Sequence, residues 1–148
     1  MKESCYDGSH GALRHYRDVG VGARVAEAAP HELIQMMLDG ALARVAAAKG
    51  AMLAGETARK GELIGRVIAI VQDGLLASLD RRGGELAVNL AALYEYMGRR
   101  LVHANLHNDP DALDEVASLL RELQSAWRAI GGVLADEGAL AGADHGRS

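Results

Sequence analysis

Apolar residues recur along most of the chain with the 3.6-residue period of an amphipathic helix, in four stretches separated by Gly, Pro or Asp. The pattern predicts helices over residues 30–53, 58–79, 85–108 and 110–134, and no stretch alternates as a strand would. Pro30 and Pro110 stand at two predicted starts, where a missing N–H costs nothing and the fixed φ is already helical. Asp109 precedes Pro110 as an N-cap, and Asp111, Asp114 and Glu115 bring negative charge to the positive end of that helix. Ala29, before Pro30, has no capping oxygen. The run Asp80-Arg81-Arg82-Gly83-Gly84 is a short connection, which favours antiparallel neighbours. The expected fold is therefore all-α, an antiparallel up-and-down four-helix bundle over residues 29–135. Residues 1–28 and 136–148 are rich in Gly, Ala and charge without sustained period, so a mobile N-terminal segment and a flexible C-terminal tail are expected.

The helices differ in how far their apolar residues spread. In the fourth, Leu113, Val116, Leu120, Leu123, Trp127, Ile130 and Leu134 alternate spacings of 3 and 4, the narrow seam of a helix that only closes a core. Trp127 is expected in that core, where truncation to alanine costs about 3–5 kcal/mol. In the second, Leu63, Ile64, Val67, Ile68, Ile70, Val71, Leu75, Leu76 and Leu79 cover an arc of about 240° at about 100° per residue, leaving Glu62, Arg66, Asp73 and Asp80 as a polar stripe. The third has a main seam of Leu86, Leu90, Leu93, Tyr94, Met97 and Leu101, with a second line of Val88, Val102 and Leu106 on another side. The first is also broad, from Leu33, Ile34, Met37 and Leu38 through Ala41, Leu42 and Val45 to Met52 and Leu53. Two readings of such arcs stand side by side: a central helix touched on two sides by its own bundle, or a groove that receives a partner's apolar helix. Gly40, Gly65, Gly74 and Gly98 lie inside predicted helices at about 1 kcal/mol each relative to alanine. Close approach of a neighbouring helix and simple tolerance explain them equally well.

Composition narrows the functional classes. The 148 residues carry a formal charge of −4, five aromatic side chains and one cysteine, Cys5. A net negative chain lacks the basic surface that releases counterions from nucleic acid or anionic lipid, and the few aromatics argue against a base-stacking platform. Nucleic-acid binding and direct membrane insertion are not expected, since the apolar runs are broken far short of the roughly 20 residues a span needs. Residues 1–6 have no apolar core of a secretion signal. A single cysteine leaves no internal disulfide, which suits a reducing, cytoplasmic compartment.

Catalytic signals are missing: there is no Gly-x-Ser-x-Gly, no phosphate-binding Gly-rich loop ending in Lys, and Cys5 has no scaffold to lower its pKa. No enzymatic activity, cofactor or metal is expected. His103 and His107 share a helix face near Asp109 and Asp111, but the Glu-x-x-His pairs of a di-iron bundle do not occur, and solvated histidines near a helix C-terminus are the simpler reading. His10, His15, His31 and His145 read as surface residues.

Several separated strings resemble one family. They are Ala29-Pro30-His31-Glu32-Leu33-Ile34-Gln35-Met36-Met37-Leu38-Asp39-Gly40-Ala41-Leu42, the turn Ser78-Leu79-Asp80-Arg81-Arg82-Gly83-Gly84-Glu85-Leu86-Ala87, the stretch Asn89-Leu90-Ala91-Ala92-Leu93-Tyr94-Glu95-Tyr96-Met97-Gly98-Arg99-Arg100-Leu101, and Ala126-Trp127. In order and spacing, from about Leu13 to Ile130, they resemble the FliS family of flagellin export chaperones. The resemblance implies a cytoplasmic bundle that binds the disordered C-terminal segment of flagellin, prevents premature polymerisation and delivers it to the membrane protein of the flagellar export gate through that protein's cytoplasmic domain. A disordered segment loses entropy on ordering but can wrap a large apolar surface as helices. Leu13-Arg14-His15-Tyr16 matches the family's N-terminal aliphatic-x-x-Tyr segment, which implies that Leu13 and Tyr16 dock over the cargo groove and are released when cargo binds. Leu38 and Ala29 stand where the family usually has an aromatic and a serine. Leu63, Val67 and Ile70 of the second helix with Val88, Val102 and Leu106 of the third are the expected groove residues. Two other classes compete: a bundle that pairs its excess apolar surface with its own copy, giving a homodimer when cargo-free, and a metal-binding bundle using His103 and His107.

Overall fold

The computed structural model describes residues 30–80 and 82–147, and side chains of that range through residue 132. Four helices follow one another: α1 (Pro30–Leu53), α2 (Thr57–Ala69, continued as a π-helical segment Ile70–Leu76), α3 (Gly84–His107) and α4 (Pro110–Arg147). Cross-links fix their sense. Lys49 near the end of α1 pairs with Asp114 at the start of α4 at 2.8 Å, while His31 at the start of α1 meets Trp127 far along α4. Lys60 at the start of α2 reaches Asn105 and Asn108 at the end of α3, and Arg100 late in α3 meets Glu115 early in α4 at 2.7 Å. Each helix is thus antiparallel to its neighbours, α1 packing on α2 and α4, and α3 on α2 and α4. This is the all-α up-and-down bundle that the apolar periodicity predicts.

Local chemistry explains the helix ends. Asp109 caps α4 as expected, its Oδ1 accepting from the Asp111 N–H at 3.0 Å. α3 stops at Asn108, whose φ of 48° is the left-handed conformation asparagine tolerates at a helix C-terminus. Lys60, 4% exposed, lays its ammonium against this end, donating to the Asn105 carbonyl at 3.0 Å and to Asn108 Oδ1. A cation there satisfies carbonyls that have no helical partner and meets the negative end of the dipole.

Two ends differ from expectation. α2 gives way to the wider i→i+5 winding from Ile70 and ends at Leu76, not at residue 79. Its π segment lies against both neighbours: a Cβ on Gly74 would sit 2.5 Å from Met37 Sδ of α1, and a Cβ on Gly98 of α3 would sit 2.5 Å from Gln72 Nε2. α4 continues to Arg147, past the end expected at Leu134. No proline follows Pro110, and alanine-rich sequence favours continued winding. The expected mobile segment over residues 1–28 lies outside the described residues.

The core is built from the predicted seams: Leu38 and Val45 from α1, Ile64, Val67, Val71 and Leu75 from α2, Met97 and Leu101 from α3, and Leu113, Val116 and Leu120 from α4. Three seam residues fall outside it. Leu53 is 69%, Leu86 68% and Ile130 46% exposed. Leu53 is the last residue of α1 and Leu86 lies in the first turn of α3, where few neighbours remain to cover them.

Candidate interaction surface

The second apolar line of α3 is where the surface departs most from an ordinary bundle. Val88, Val102 and Leu106 are 66%, 46% and 72% exposed, and helical spacing puts them on one stripe with Glu95 and Arg99 between. They flank the side of α3 that faces α2, because Asn105 and Gly98 on that side approach Gly61 and Gln72. Gly65 on α2 has nothing within 4 Å of its added Cβ, so the α2 border of this stripe is open.

The α2 residues expected to complete a groove do not join this stripe. Val67 is wholly buried, because it continues the core-facing line of Ile64 and Val71. Leu63 and Ile70 are half-buried against the core and lie towards α1, where the added Cβ of Gly40 would meet Ile70 Cδ1 at 4.0 Å. The broad arc of α2 is thereby explained by its own bundle, with α1 on one flank and α3 on the other. Leu13 and Tyr16 lie outside the described residues.

Polar side chains tie the helices behind the stripe. Glu115 of α4 accepts from the Tyr96 hydroxyl at 2.6 Å and from Arg100 Nε at 2.7 Å. The Tyr96 hydrogen bond, helped by Arg100, holds the Glu115 carboxyl below its ordinary range and pushes the Tyr96 phenol up. Burial pulls the Asp109 carboxyl up, but His103 and the N–H groups of Ala112 and Asp111 together keep it below the ordinary value. His103 Nε2 donates to Asp109 at 3.1 Å, and the His103 and His107 rings lie 4.6 Å apart. Among the described residues no group of three His, Cys, Asp or Glu side chains is placed to hold a metal ion. No helix among them is long and apolar enough to cross a membrane.

At the other end of the bundle His31 is no free surface residue. Its ring stacks on Trp127 with centroids 5.1 Å apart and planes 8° from parallel. Its Nε2–H donates to the Trp127 carbonyl at 2.7 Å, and Trp127 Nε1–H donates back to the His31 carbonyl at 2.9 Å. Trp127 is consequently only half-buried, packed against the core and not wholly within it. Any Cβ on Gly131 would collide with the His31 ring, so glycine makes this clamp fit. No local pattern signals the pairing, since His31 and Trp127 are 96 residues apart. Lys60 was legible in principle: it shares the apolar line of Ile64, Val67 and Val71 at helical spacing, a register that demands burial.

The molecule is thus a helical bundle whose distinctive surface feature is an exposed apolar stripe on one helix. Residues 12–133 match the family model described as "Flagellar protein FliS". The chain belongs to the FliS family. It is 50% identical to flagellar secretion chaperone FliSB of Pseudomonas aeruginosa over 120 residues, covering 80% of this chain and 94% of that one. It is 43% identical to flagellar secretion chaperone FliS of Salmonella typhimurium, covering 80% and 88% of the two chains. Against flagellar secretion chaperone FliS of Bacillus subtilis the identity is 35%, over 70% of this chain and 77% of that one.

Proposed function

We propose that this protein is a non-enzymatic, cytoplasmic export chaperone that binds the C-terminal segment of flagellin. The observation that carries this reading is the exposed Val88, Val102 and Leu106 stripe on a chain of the FliS family. An amphipathic segment that folds on binding would cover the stripe with its apolar face, with Glu95 and Arg99 free to pair with polar positions of the same segment. Leu63 and Ile70 border a second, half-buried surface towards α1, and Val67 supports both from the core. Held in this way, the filament subunit does not polymerise early and is passed to the cytoplasmic domain of the export-gate membrane protein. In the cargo-free protein Leu13 and Tyr16 occupy the cargo surface, or the stripe pairs with a second copy. The test is filament growth from purified flagellin seeded in vitro. Stoichiometric wild-type protein is expected to suppress elongation, and Val102→Glu with Leu106→Glu to abolish suppression. Elongation unaffected by the wild type would overturn the proposal.

A further inference from the structure

Where α1 hands over to α2, Met52, Leu53, Thr57, Lys60, Asn108 and Pro110 line a cavity of about 370 Å³. That lies within the roughly 300–1,000 Å³ typical of small-ligand sites. Its walls are of two kinds: Met52, Leu53 and Pro110 are apolar, whereas Lys60, Asn108 and Thr57 carry donors.

Lys60 is the unusual member. Its ammonium has three donors, and the two acceptors it meets, the Asn105 carbonyl and Asn108 Oδ1, are both uncharged. None of the ion pairs among the described residues includes it, although it is 4% exposed. A cation this buried without a counter-ion is costly unless an anion joins it, and the partial charge of the α3 carbonyls compensates it only in part. Two further features favour an anion. Asn108 spends its oxygen on Lys60, which leaves its NH₂ group available, and no side chain caps the first turn of α2, whose N–H groups carry the positive end of the dipole. The opposing charge of Glu56 is turned to Arg59, 3.9 Å away.

An ammonium beside an apolar wall suits a carboxylate with hydrocarbon attached at the same carbon. In a polypeptide a chain terminus has that arrangement: its α-carboxylate and the stem of its last side chain leave one Cα. We propose that the Lys60 cavity binds the chain-terminal carboxylate of the cargo, with the last side chain lying on Met52, Leu53 and Pro110. This rests on the reading that the cargo is a flagellin C-terminal segment, and it adds that the segment is anchored by its very end.

The experiment titrates the full-length protein at low salt with two synthetic flagellin C-terminal peptides, identical except for a free acid or an amide at the terminus. The acid is expected to bind about tenfold more tightly, as loss of one charge-assisted hydrogen-bonded contact predicts. Equal affinity would overturn the anchor while leaving the cargo reading intact; binding of neither peptide would overturn both. Lys60→Met is expected to erase the difference by weakening the acid alone, and a folded K60M protein that kept it would place the carboxylate elsewhere. If that variant fails to fold, the peptide pair on the wild type decides.

Discussion

His31, Trp127 and Gly131 form a unit whose members depend on one another. Trp127→Ala removes a half-buried indole, its stacking on His31 and the Nε1–H bond to the His31 carbonyl, while the backbone carbonyl that accepts from His31 remains; it is expected to cost about 2–3 kcal/mol, below the figure for a fully buried tryptophan. Gly131→Ala drives a methyl into the His31 ring and is expected to cost about 1–3 kcal/mol. In a His31→Ala background that cost should largely vanish, a non-additivity that denaturant unfolding of the four proteins would reveal. Full additivity would mean that the ring does not occupy this place. Glu115 supplies a second test. Its carboxyl is more acidic in the folded chain than in the unfolded one, so protons bind the unfolded chain more readily there. Its stabilising contribution is present above the ordinary glutamate value of about 4.3 and is lost as pH falls through the folded-state value. Asp80, held down by the Arg82 N–H, and Asp109 act in the same direction. Unfolding midpoints measured from pH 6 to pH 3 should therefore drop on the acid side, and Glu115→Gln should flatten part of that drop. A Glu115→Gln curve parallel to the wild type would contradict the Tyr96–Glu115–Arg100 linkage.

At the scale of the element, three helix glycines that look alike in sequence separate in the structure. An added methyl at Gly74 meets the sulfur of half-buried Met37, in the middle of a packed side chain, so Gly74→Ala is expected to destabilise by about 1–3 kcal/mol. At Gly98 the obstacle is the tip of exposed Gln72, which can swing into solvent; at Gly65 there is open space. Both alanine variants are therefore expected to be neutral or up to about 1 kcal/mol more stable, through helix propensity alone. Thermal unfolding of the three proteins checks the order, and a Gly74→Ala protein as stable as Gly65→Ala would contradict the contact with Met37. The helices themselves were legible because each carries a 3.6-residue apolar period and the breaks between them carry glycine, proline or Asp: Pro30 and Pro110 at two starts, Gly83-Gly84 where α3 begins and Asn108-Asp109 after it. Periodicity also placed Val67 on an arc but not on a side of it: whether a flank of α2 is bare depends on where α1 and α3 lie, which no local pattern encodes. The π-helical turn carries no local signature either; it lies where α2 approaches both neighbours, with Met37 of α1 close to Gly74 and Gln72 close to Gly98 of α3. Leu53 and Leu86 fit their seams by spacing and are exposed because they sit at helix ends, whereas Ile130 lies in mid-α4, a turn beyond Trp127, which already meets the first turn of α1; all three are a matter of bundle length.

For the molecule as a whole, the antiparallel ring of helices buries one continuous core and leaves the α3 stripe uncovered. That division separates stability from binding. Leu106, 72% exposed, contributes little to the fold, so Leu106→Glu is expected to shift unfolding by less than about 0.5 kcal/mol. The same change sets a charge in the middle of an apolar contact and is expected to weaken cargo binding about tenfold or more. Of the six groove residues expected from sequence, the three on α3 lie on one exposed stripe and the three on α2 are spent wholly or partly on the core, so the candidate surface is narrower than the sequence suggested and centred on α3. The most direct test is isothermal titration of the purified protein with a peptide from the flagellin C-terminus, alongside the Val102→Glu, Leu106→Glu protein. The account predicts saturable binding with a negative heat-capacity change in the wild type and marked weakening in the equally stable variant. No heat and no comigration with the wild type, or undiminished binding to the variant, would contradict it.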